Sequence, residues 1–198
     1  MARPKTFDED RALDAAMRTF WANGYEATTT QDLCEATGLG RSSIYNTFTS
    51  KPDLFRRALA RYIQDKTTTQ AAVLEDEQRP ALERLRTLLA MIVDAEAGNR
   101  PQGRSLGCLT VNTTVELAGR DAPTDAMLQR DQQRRLELLR TAISAGQRAG
   151  EITAQPGAAD LALFLNTVIG GMRVAGQGGA DRAALESIAA TALRALAP

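Results

Sequence analysis

Residues 28–55, TTTQDLCEATGLGRSSIYNTFTSKPDLF, contain the pattern that decides the fold. Thr30 is a suitable N-cap for a short first helix, because its hydroxyl can accept a hydrogen bond from an amide of the first turn. Gly38 supplies the left-handed residue that ends a helix, and Gly40 or Arg41 begins a second one. Ser50 then caps a third helix. Two short helices joined by a glycine turn predict a helix-turn-helix.

The second of these helices carries the side chains that we expect to contact DNA. Arginine pairs with guanine edges, asparagine with adenine, and serine or threonine with several groups including phosphate. A lysine at the start of the next helix can bind phosphate together with backbone amides. The basic N-terminal arm can reach phosphates or a minor groove, although a solvated terminus is an equal alternative. The predicted DNA-binding residues are Arg3, Lys5, Thr28, Thr30, Arg41, Ser42, Ser43, Tyr45, Asn46, Thr47 and Lys51.

The composition favours an all-helical protein without the usual catalytic motifs. The 198 residues suffice for one domain or two small ones, and Val and Ile never form a sustained alternating run. The chain has no histidine, which excludes imidazole-dependent zinc sites and Ser-His triads. A P-loop, a GxGxxG fingerprint and a CxxC pair are also missing from the sequence. We therefore expect no cofactor and no metal.

The net charge is less informative than its distribution. The 24 basic and 24 acidic residues give a formal charge of zero. Residues 1–66 contain ten basic and nine acidic residues, a balance of +1. DNA-binding proteins usually carry an excess of positive charge, so this neutrality counts mildly against DNA binding.

The termini and apolar segments predict a cytoplasmic protein with no membrane partner. Residues 1–7, MARPKTF, lack the apolar centre of a signal peptide. No run of about 18 apolar residues is expected to span a bilayer. Cys34 and Cys108 fall in different predicted helices, and nothing indicates a disulfide framework.

Apolar residues at helical spacing predict about nine helices in two domains. Residues 1–66 are expected to form the DNA-binding domain and residues 67–198 a helical domain. The helix that begins near Pro52 should join the two. The last two helices are more apolar than one small domain requires, and Gly170 and Gly171 inside a helix predict a close helix crossing.

Residues 7 to about 62 resemble the N-terminal domain of the TetR/AcrR family of bacterial repressors. The chain departs from the family pattern at Ser42, often glycine, at Thr47, often aromatic, and at Thr49, often proline. The resemblance implies a transcriptional regulator, most often a repressor, and not an enzyme. Such a protein binds palindromic operator DNA as a homodimer and is released by a small-molecule effector in its C-terminal domain. The matching residues are Gly24, Tyr25, Ala27, Thr28, Thr29, Leu33, Gly38, Leu39, Ile44, Tyr45, Phe48, Ser50, Lys51 and Leu54.

In the family, the last two helices form a four-helix bundle with those of a two-fold related subunit. Two-fold symmetry also matches a palindrome whose half-sites lie about 34–36 Å apart, or a longer multiple. A monomer with a larger core is the alternative explanation of the apolar helices. The predicted dimer interface consists of Leu161, Leu165, Gly171, Met172, Leu185, Ile188, Ala192 and Leu196.

Residues 105–119, SLGCLTVNTTVELAG, are apolar almost all round and predict a central helix. In a helix, Cys108, Asn112 and Glu116 share one face. They are either polar core residues that bond to neighbouring helices or one wall of a ligand cavity, and the family resemblance supports the cavity. The predicted effector-binding residues are Leu85, Leu89, Cys108, Asn112, Glu116, Phe164 and Val168.

Cys108 has two interpretations of its own. Its surroundings resemble a TetR subgroup in which the matching cysteine responds to electrophiles or oxidants. A reactive thiol needs a nearby cation or helix N-terminus, and Arg104 lies four residues earlier. The alternative is a buried, inert packing residue, which is also our interpretation of Cys34.

Two functions outside this scheme stay open at the level of sequence. One is an enzyme that uses the C-terminal cavity. The other is a helical interaction protein that has lost operator binding, which Ser42, Thr47 and the neutral charge leave possible.

Overall fold

The computed structural model describes residues 8–98 and 105–198, and these ranges form nine α-helices. The all-α prediction and the number of helices are confirmed. The described residues do not include Arg3 and Lys5, two predicted DNA contacts, or Arg104, the cation predicted near Cys108. The helices are α1 (Glu9–Asn23), α2 (Thr30–Thr37), α3 (Arg41–Phe48), α4 (Lys51–Leu74), α5 (Ala81–Gly98), α6 (Leu109–Leu117), α7 (Ala122–Arg148), α8 (Ala158–Gln177) and α9 (Arg182–Leu196).

Local hydrogen bonds fix the helix-turn-helix formed by α2 and α3. Thr29, and not Thr30 as predicted, is the N-cap of α2. The Thr29 hydroxyl accepts from the amide of Asp32 at 3.1 Å, and the Asp32 carboxylate accepts from the amide of Thr29 at 2.7 Å. This reciprocal capping box defines where the helix begins. Gly38 ends α2 with φ 67°, and Ser50 caps α4 by accepting from the Asp53 amide at 3.2 Å, both as predicted.

Two hydrophobic cores share α4. The first core joins α1–α4 around Phe20, Phe48 and Leu59, and the second joins α5, α7, α8 and α9. Leu74, at the end of α4, belongs to the second core. The predicted domain boundary at residue 66 falls within this continuous helix. Helix α6 also packs into the first core, through Leu109 and Leu117, and Met127 and Leu128 of α7 pack against it, so α4, α6 and α7 all connect the DNA-binding end to the rest of the described chain.

Most residues predicted for the dimer interface are buried within their own chain. An apolar helix can bury one stripe in its own core and leave another outside, and the sequence does not distinguish the two stripes. The interface prediction is wrong for the buried set, while Gly171 and Ile188 remain exposed. The buried residues are Leu161, Leu165, Met172, Leu185, Ala192 and Leu196.

A second apolar face on α8 and α9 points away from the core. Leu163 and Val174 are each 53% exposed, Phe164 is 41% exposed, and Ile188 is 36% exposed. On α8, Leu163 and Val174 are eleven residues apart and Phe164 and Gly171 are seven apart, so the members of each pair lie on the same side of the helix. We call the four exposed apolar residues, together with Gly171, the outer face.

The predicted close helix crossing lies at another glycine. Apart from the chain neighbours and the backbone of α8 itself, no atom of the described residues lies within 4 Å of the position that a Cβ would take on Gly170 or Gly171. At Gly176, such a Cβ would lie 2.9 Å from the Cβ of Glu96 on α5. The prediction of a crossing within this chain is therefore wrong for Gly170 and Gly171, and Gly176 is the residue that allows α5 and α8 to approach.

Among the described residues, α8 is long and apolar enough to cross a membrane, with a mean hydropathy of 1.3. The sequence analysis predicted no segment of this length and apolarity, and α8 corrects that prediction. Length and composition are weak grounds, because core helices pass the same test. Here α8 packs into the second core, and its Arg173 pairs with the buried Glu96 inside the protein.

Candidate DNA-binding surface and effector cavity

Helix α3 separates a buried side from a polar outer side. Ile44 and Phe48 are fully buried in the first core. Arg41, Ser42 and Asn46 are exposed, and these side chains can hydrogen-bond to base edges in a major groove. Ser43 and Thr47 are half-buried at the margin of the same surface. The structure thus brings five of the six predicted contacts of α3, all except Tyr45, onto one helix surface.

Three other predicted DNA contacts have internal roles instead. Thr28 is fully buried, and its hydroxyl donates to the carbonyl of Gly24 at 2.6 Å, so the prediction for Thr28 is wrong. The hydroxyls of Thr30 and Tyr45 lie 2.7 Å apart and join α2 to α3. This pair fixes the angle between the two helices.

Lys51 begins α4 next to the helix-turn-helix, as predicted. Its ammonium lies 4.5 Å from the centre of the Tyr25 ring and 3.5 Å from the carbonyl oxygen of Glu26. The flexible lysine stem leaves it able to reach a phosphate at the N-terminus of α4.

Arg57 supports α3 from the neighbouring helix, a role that the sequence did not reveal. Its guanidinium donates to the carbonyl of Thr47 at 3.4 Å, lies 4.8 Å from the centre of the Phe48 ring, and pairs with Glu9. It positions the end of α3. No local signal separates it from Arg56, which instead pairs with Asp121.

A strained turn ends α3. Thr49 has φ 58° and ψ −50°, and the amide of Ser50 donates to the carbonyl of Phe48 across it. This is a γ-turn with positive φ, which is rare and costly for a β-branched residue. The turn lies between α3 and α4, at a position where the resembled family often has proline.

A cavity of about 100 Å³ lies between α4, α6, α7 and α8, and Cys108 forms part of its wall. It adjoins a wider groove between α4 and α7, with which it shares Ile63, Thr67 and Asp131. The cavity thus has a route to the surface. Its lining residues include Tyr62, Lys66, Gln70, Cys108, Thr110, Arg135, Asn166 and Arg173.

The Cys108 sulfur is surrounded by groups that favour its thiolate. The Tyr62 hydroxyl donates to it at 3.4 Å, and the Thr110 hydroxyl lies 3.1 Å away. Burial alone would raise the pKa of Cys108, but the charge of Arg173 and hydrogen bonds from Thr110, Tyr62 and the Val111 amide together lower it below the ordinary thiol value. Burial raises the pKa of Tyr62 well above its usual value, so the phenol stays protonated as a donor.

A buried ion pair holds Arg173 beside this thiol. The Arg173 guanidinium lies 3.1 Å from the Glu96 carboxylate, and both side chains are buried. The Ser105 hydroxyl donates to the other oxygen of Glu96 and accepts from the Gly107 amide at 3.0 Å. The network therefore joins α5 and α8 to the segment that leads into α6.

Glu116, near the other end of α6, contacts the DNA-binding end of the molecule. Its two carboxylate oxygens accept from the amides of Tyr25 and Glu26, at 2.9 and 2.7 Å. These amides follow Gly24, whose φ of 83° and missing Cβ let the carboxylate approach. Helix α6 is thus bonded at one end to the Cys108 cavity and at the other to the turn between α1 and α2.

Comparisons with known families agree with both halves of this arrangement. Residues 12–58 match the family described as bacterial regulatory proteins, tetR family, and residues 81–192 match the tetracyclin repressor-like C-terminal domain. The chain belongs to the TetR family. It is a DNA-binding helix-turn-helix regulator of transcription from a family without enzymes, which excludes the enzyme alternative.

Two relatives of this TetR-family chain are named as repressors. The HTH-type transcriptional repressor ComR of Escherichia coli (strain K12) is 35% identical over 192 residues, which cover 97% of this chain and 90% of the relative. The repressor DhaR of Mycobacterium sp. (strain GP1) is 27% identical over 140 residues, covering 71% of this chain and 67% of the relative.

Two solved structures share the fold over almost the whole chain. A cysteine mutant of the TetR-family regulator CifR, complexed with 26-bp double-strand operator DNA, has a TM-score of 0.82 and 31% identity, covering 98% of this chain and 100% of that one. The reduced form of E. coli NemR has a TM-score of 0.84 at 16% identity, covering 95% and 96%, and shows likeness of fold alone.

The predicted effector residues do not converge on one cavity in this TetR-family structure. Cys108 lines the cavity described above, whereas Leu85 and Leu89 are fully buried in the second core. Phe164 belongs to the outer face, and Val168 packs against the second core. These four residues do not line this cavity, and their contact with an effector stays a prediction. The polar lining was missed because it comes from helices far apart in sequence.

The predicted polar stripe on α6 is also divided. Cys108 is the N-cap of α6 and has an extended backbone, so helical spacing does not extend to it. The Asn112 amide donates to the carbonyl of Leu106 at 3.0 Å, and the Glu116 carboxylate bonds to the turn between α1 and α2. Neither lines the cavity, and the structure supports the alternative in which both bond to neighbouring segments.

Proposed function

We propose that this protein represses transcription as a homodimer that binds a palindromic operator and leaves it when an effector acts on the C-terminal cavity. The observation that carries the proposal is α3, with Arg41, Ser42 and Asn46 exposed on a helix held by the Thr30–Tyr45 and Arg57 contacts. The repressors among its relatives support it. The function implies a cytoplasmic location.

The outer face of α8 and α9 supports the proposed dimer. Large apolar side chains grouped on one surface commonly mark protein interfaces, and glycine allows close approach of a second backbone. In sedimentation equilibrium, we expect a dimer for the wild-type protein and dissociation for Phe164→Glu. A Val115→Glu variant is the matched control, because Val115 is an exposed apolar residue of α6 outside this face. A wild-type monomer would contradict the proposal.

Operator binding is tested by fluorescence anisotropy with DNA from upstream of the protein's own gene. Phosphate contacts release counterions, so affinity should fall steeply as salt rises from 50 to about 200 mM. Binding that is weak and indifferent to salt, here and in a genome-wide selection, would favour an interaction protein without an operator.

A second candidate concerns the effector: covalent modification of Cys108 releases the DNA. It is favoured by the sulfur's contacts with Tyr62, Thr110 and Arg173, which together promote the nucleophilic thiolate. A modified Cys108 would lose the hydrogen bond to Tyr62 on α4 and disturb the start of α6. Because Glu116 bonds α6 to the amides of Tyr25 and Glu26, that displacement would reach the DNA-binding end. An effector of this kind must favour the DNA-incompetent state.

Treatment with N-ethylmaleimide tests this candidate in the same anisotropy assay. We expect modification to abolish operator binding in the wild-type protein and to leave binding intact in Cys108→Ser. Cys34→Ser is the control, because it removes the other thiol and should keep the response. Binding that resists modification of Cys108, verified by mass spectrometry, would contradict a thiol sensor and direct the search to reversible ligands.

A further inference from the structure

The charged groups around Cys108 come from four helices and do not balance when the thiol is neutral. Lys66 on α4, Arg135 on α7 and Arg173 on α8 line the cavity. Two carboxylates oppose them: Asp131 pairs with Arg135, and Glu96 pairs with Arg173. With both carboxylates ionised, three positive charges face two negative ones among the described residues.

Of the three cations that line the cavity, Lys66 is the one that has no carboxylate partner within the described part of the chain. Its ammonium lies 5.6 Å from the centre of the Tyr62 ring and 6.0 Å from that of Trp21. It is half-buried and lines the same cavity as Cys108. An unbalanced positive charge in a partly desolvated place attracts an anion more strongly than it would in water.

The Cys108 thiolate supplies the missing negative charge, and an alkylated Cys108 does not. Attack by the thiolate on an electrophilic carbon gives a neutral thioether. The excess positive charge then returns, unless the added group brings an anion with it. A carboxylate on the reagent would restore the balance and accept hydrogen bonds from Lys66 or Arg135.

We propose that the cavity selects small anionic electrophiles, in which a carboxylate or similar anion lies one or two atoms from the reactive carbon. The inference rests on the proposed role of Cys108 as the sensor and names the chemical class of its effector. The volume of about 100 Å³ suffices for a molecule of a few heavy atoms, and the adjoining groove gives it access. In the reaction the sulfur forms a bond to carbon, and the leaving group departs with the electron pair of the bond that breaks.

Iodoacetate and iodoacetamide form a matched pair of probes, since they have nearly the same size and differ in charge. Both transfer a CH₂ group to sulfur and release iodide. Cys34 is an internal reference in the same molecule, because it is half-buried on α2, outside the cavity. The ratio of the two rate constants at one cysteine cancels its thiolate fraction, so it reports the effect of reagent charge alone.

The experiment measures alkylation of the full-length protein at each cysteine by peptide mass spectrometry. We expect the iodoacetate-to-iodoacetamide ratio at Cys108 to exceed that at Cys34 by about tenfold, which corresponds to ~1.4 kcal/mol. Lys66→Gln should bring the two ratios close together, while Lys66→Arg keeps them apart. Arg86→Gln on the surface of α5 makes the same charge change away from the cavity and should leave the ratio unaltered. A thermal melt verifies that each variant is folded.

Equal ratios at the two cysteines, or a raised ratio that Lys66→Gln leaves unchanged, would overturn the inference. Operator binding by the same alkylated samples separates this failure from that of the proposed function. Release of DNA after either reagent, with equal ratios, would keep the sensor and remove the charge selection. A raised ratio without release of DNA would support the anionic site and remove the sensor.

Discussion

The helix-turn-helix and the Cys108 cavity are built from contacts of very different range along the chain. In the helix-turn-helix, Thr29 bonds to Asp32 and Thr30 to Tyr45, so partners lie within 15 residues of each other. In the cavity, Tyr62 meets Cys108, and Arg173 meets a glutamate 77 residues earlier. A local motif can keep its geometry while the surrounding protein changes, whereas the cavity depends on how four helices pack. The geometry of the helix-turn-helix is thus set by local contacts, and that of the cavity by the packing of four helices.

The largest expected effect is a loss of stability when the buried ion pair beside the cavity is broken. Arg173→Met removes a cation that pairs with the buried Glu96 carboxylate, which should lower the free energy of unfolding by about 3–5 kcal/mol. Urea denaturation measures the loss. Arg182→Met removes an exposed arginine that pairs with Asp94 and Glu186, and we expect little change there. Equal stability of the two variants would mean that the cavity does not depend on this pair.

The next largest effect is on operator binding by the helix-turn-helix, without a change in folding. Arg41→Ala removes an exposed side chain of α3 and should weaken operator binding by about 1–3 kcal/mol, with an unaltered melting temperature and an unaltered rate of Cys108 alkylation. Anisotropy titration measures the affinity. Arg86→Ala, which makes the same charge change on α5, should bind as the wild-type protein does. A loss of affinity shared by both variants would reveal a general charge effect.

A smaller effect is expected at Glu116, which connects the two regions. Glu116→Gln keeps one acceptor oxygen and places an NH₂ group against a backbone amide, so one charge-assisted hydrogen bond is lost at a cost of about 1–2 kcal/mol in the free energy of unfolding. Glu186→Gln, in an exposed pair on α9, is the control. If operator binding by Glu116→Gln still responds fully to Cys108 modification, α6 does not carry the signal.

The thiolate of Cys108 should make stability depend on pH. Its pKa is lowered in the folded protein, so deprotonation stabilises the fold. This contribution is fully present above the ordinary thiol pKa of about 8.5 and is lost as the pH falls through the lower folded value. The stability of the wild-type protein relative to Cys108→Ser should therefore rise with pH up to about 8.5 and then stay constant. A difference that does not vary with pH would show an unperturbed thiol.

The smallest effect is at the γ-turn that ends α3. Thr49→Gly removes the strain of a positive φ but increases the entropy of the unfolded chain, so a net gain of less than ~1 kcal/mol is expected. Thr49→Ala keeps a Cβ in the same backbone conformation and is the matched control. A glycine variant less stable than the alanine variant would mean that this turn is not strained.

The same difference in range explains which features could be predicted from the sequence. The glycine turn, the Ser50 cap and the polar side of α3 follow from residues within a few positions of one another, and each was predicted. Thr28 was assigned to DNA because local pattern does not show that its hydroxyl is buried against Gly24. The N-cap of α2 was misplaced by one residue because Thr29 and Thr30 are chemically equivalent until Asp32 selects one of them.

The cavity required knowledge of packing that the sequence does not contain. Periodicity showed that α8 and α9 are apolar on more than one side, but not that Leu165 and Met172 face their own core while Phe164 faces outward. Helical spacing grouped Cys108 with Glu116, although the cysteine lies just before the helix and the glutamate is bonded to another domain. Nothing in the local sequence marks Lys66 and Arg135 as residues that line a cavity, since ordinary surface residues have the same local pattern.

We infer that α6 transmits a change at Cys108 to the turn between α1 and α2. Hydrogen exchange at the amides of Tyr25 and Glu26 measures this transmission, because these amides bond to Glu116. We expect N-ethylmaleimide to accelerate their exchange in the wild-type protein and not in Cys108→Ser, with Glu116→Gln exchanging fast before any treatment. Unchanged exchange at these amides in a protein whose Cys108 is fully modified would contradict the claim.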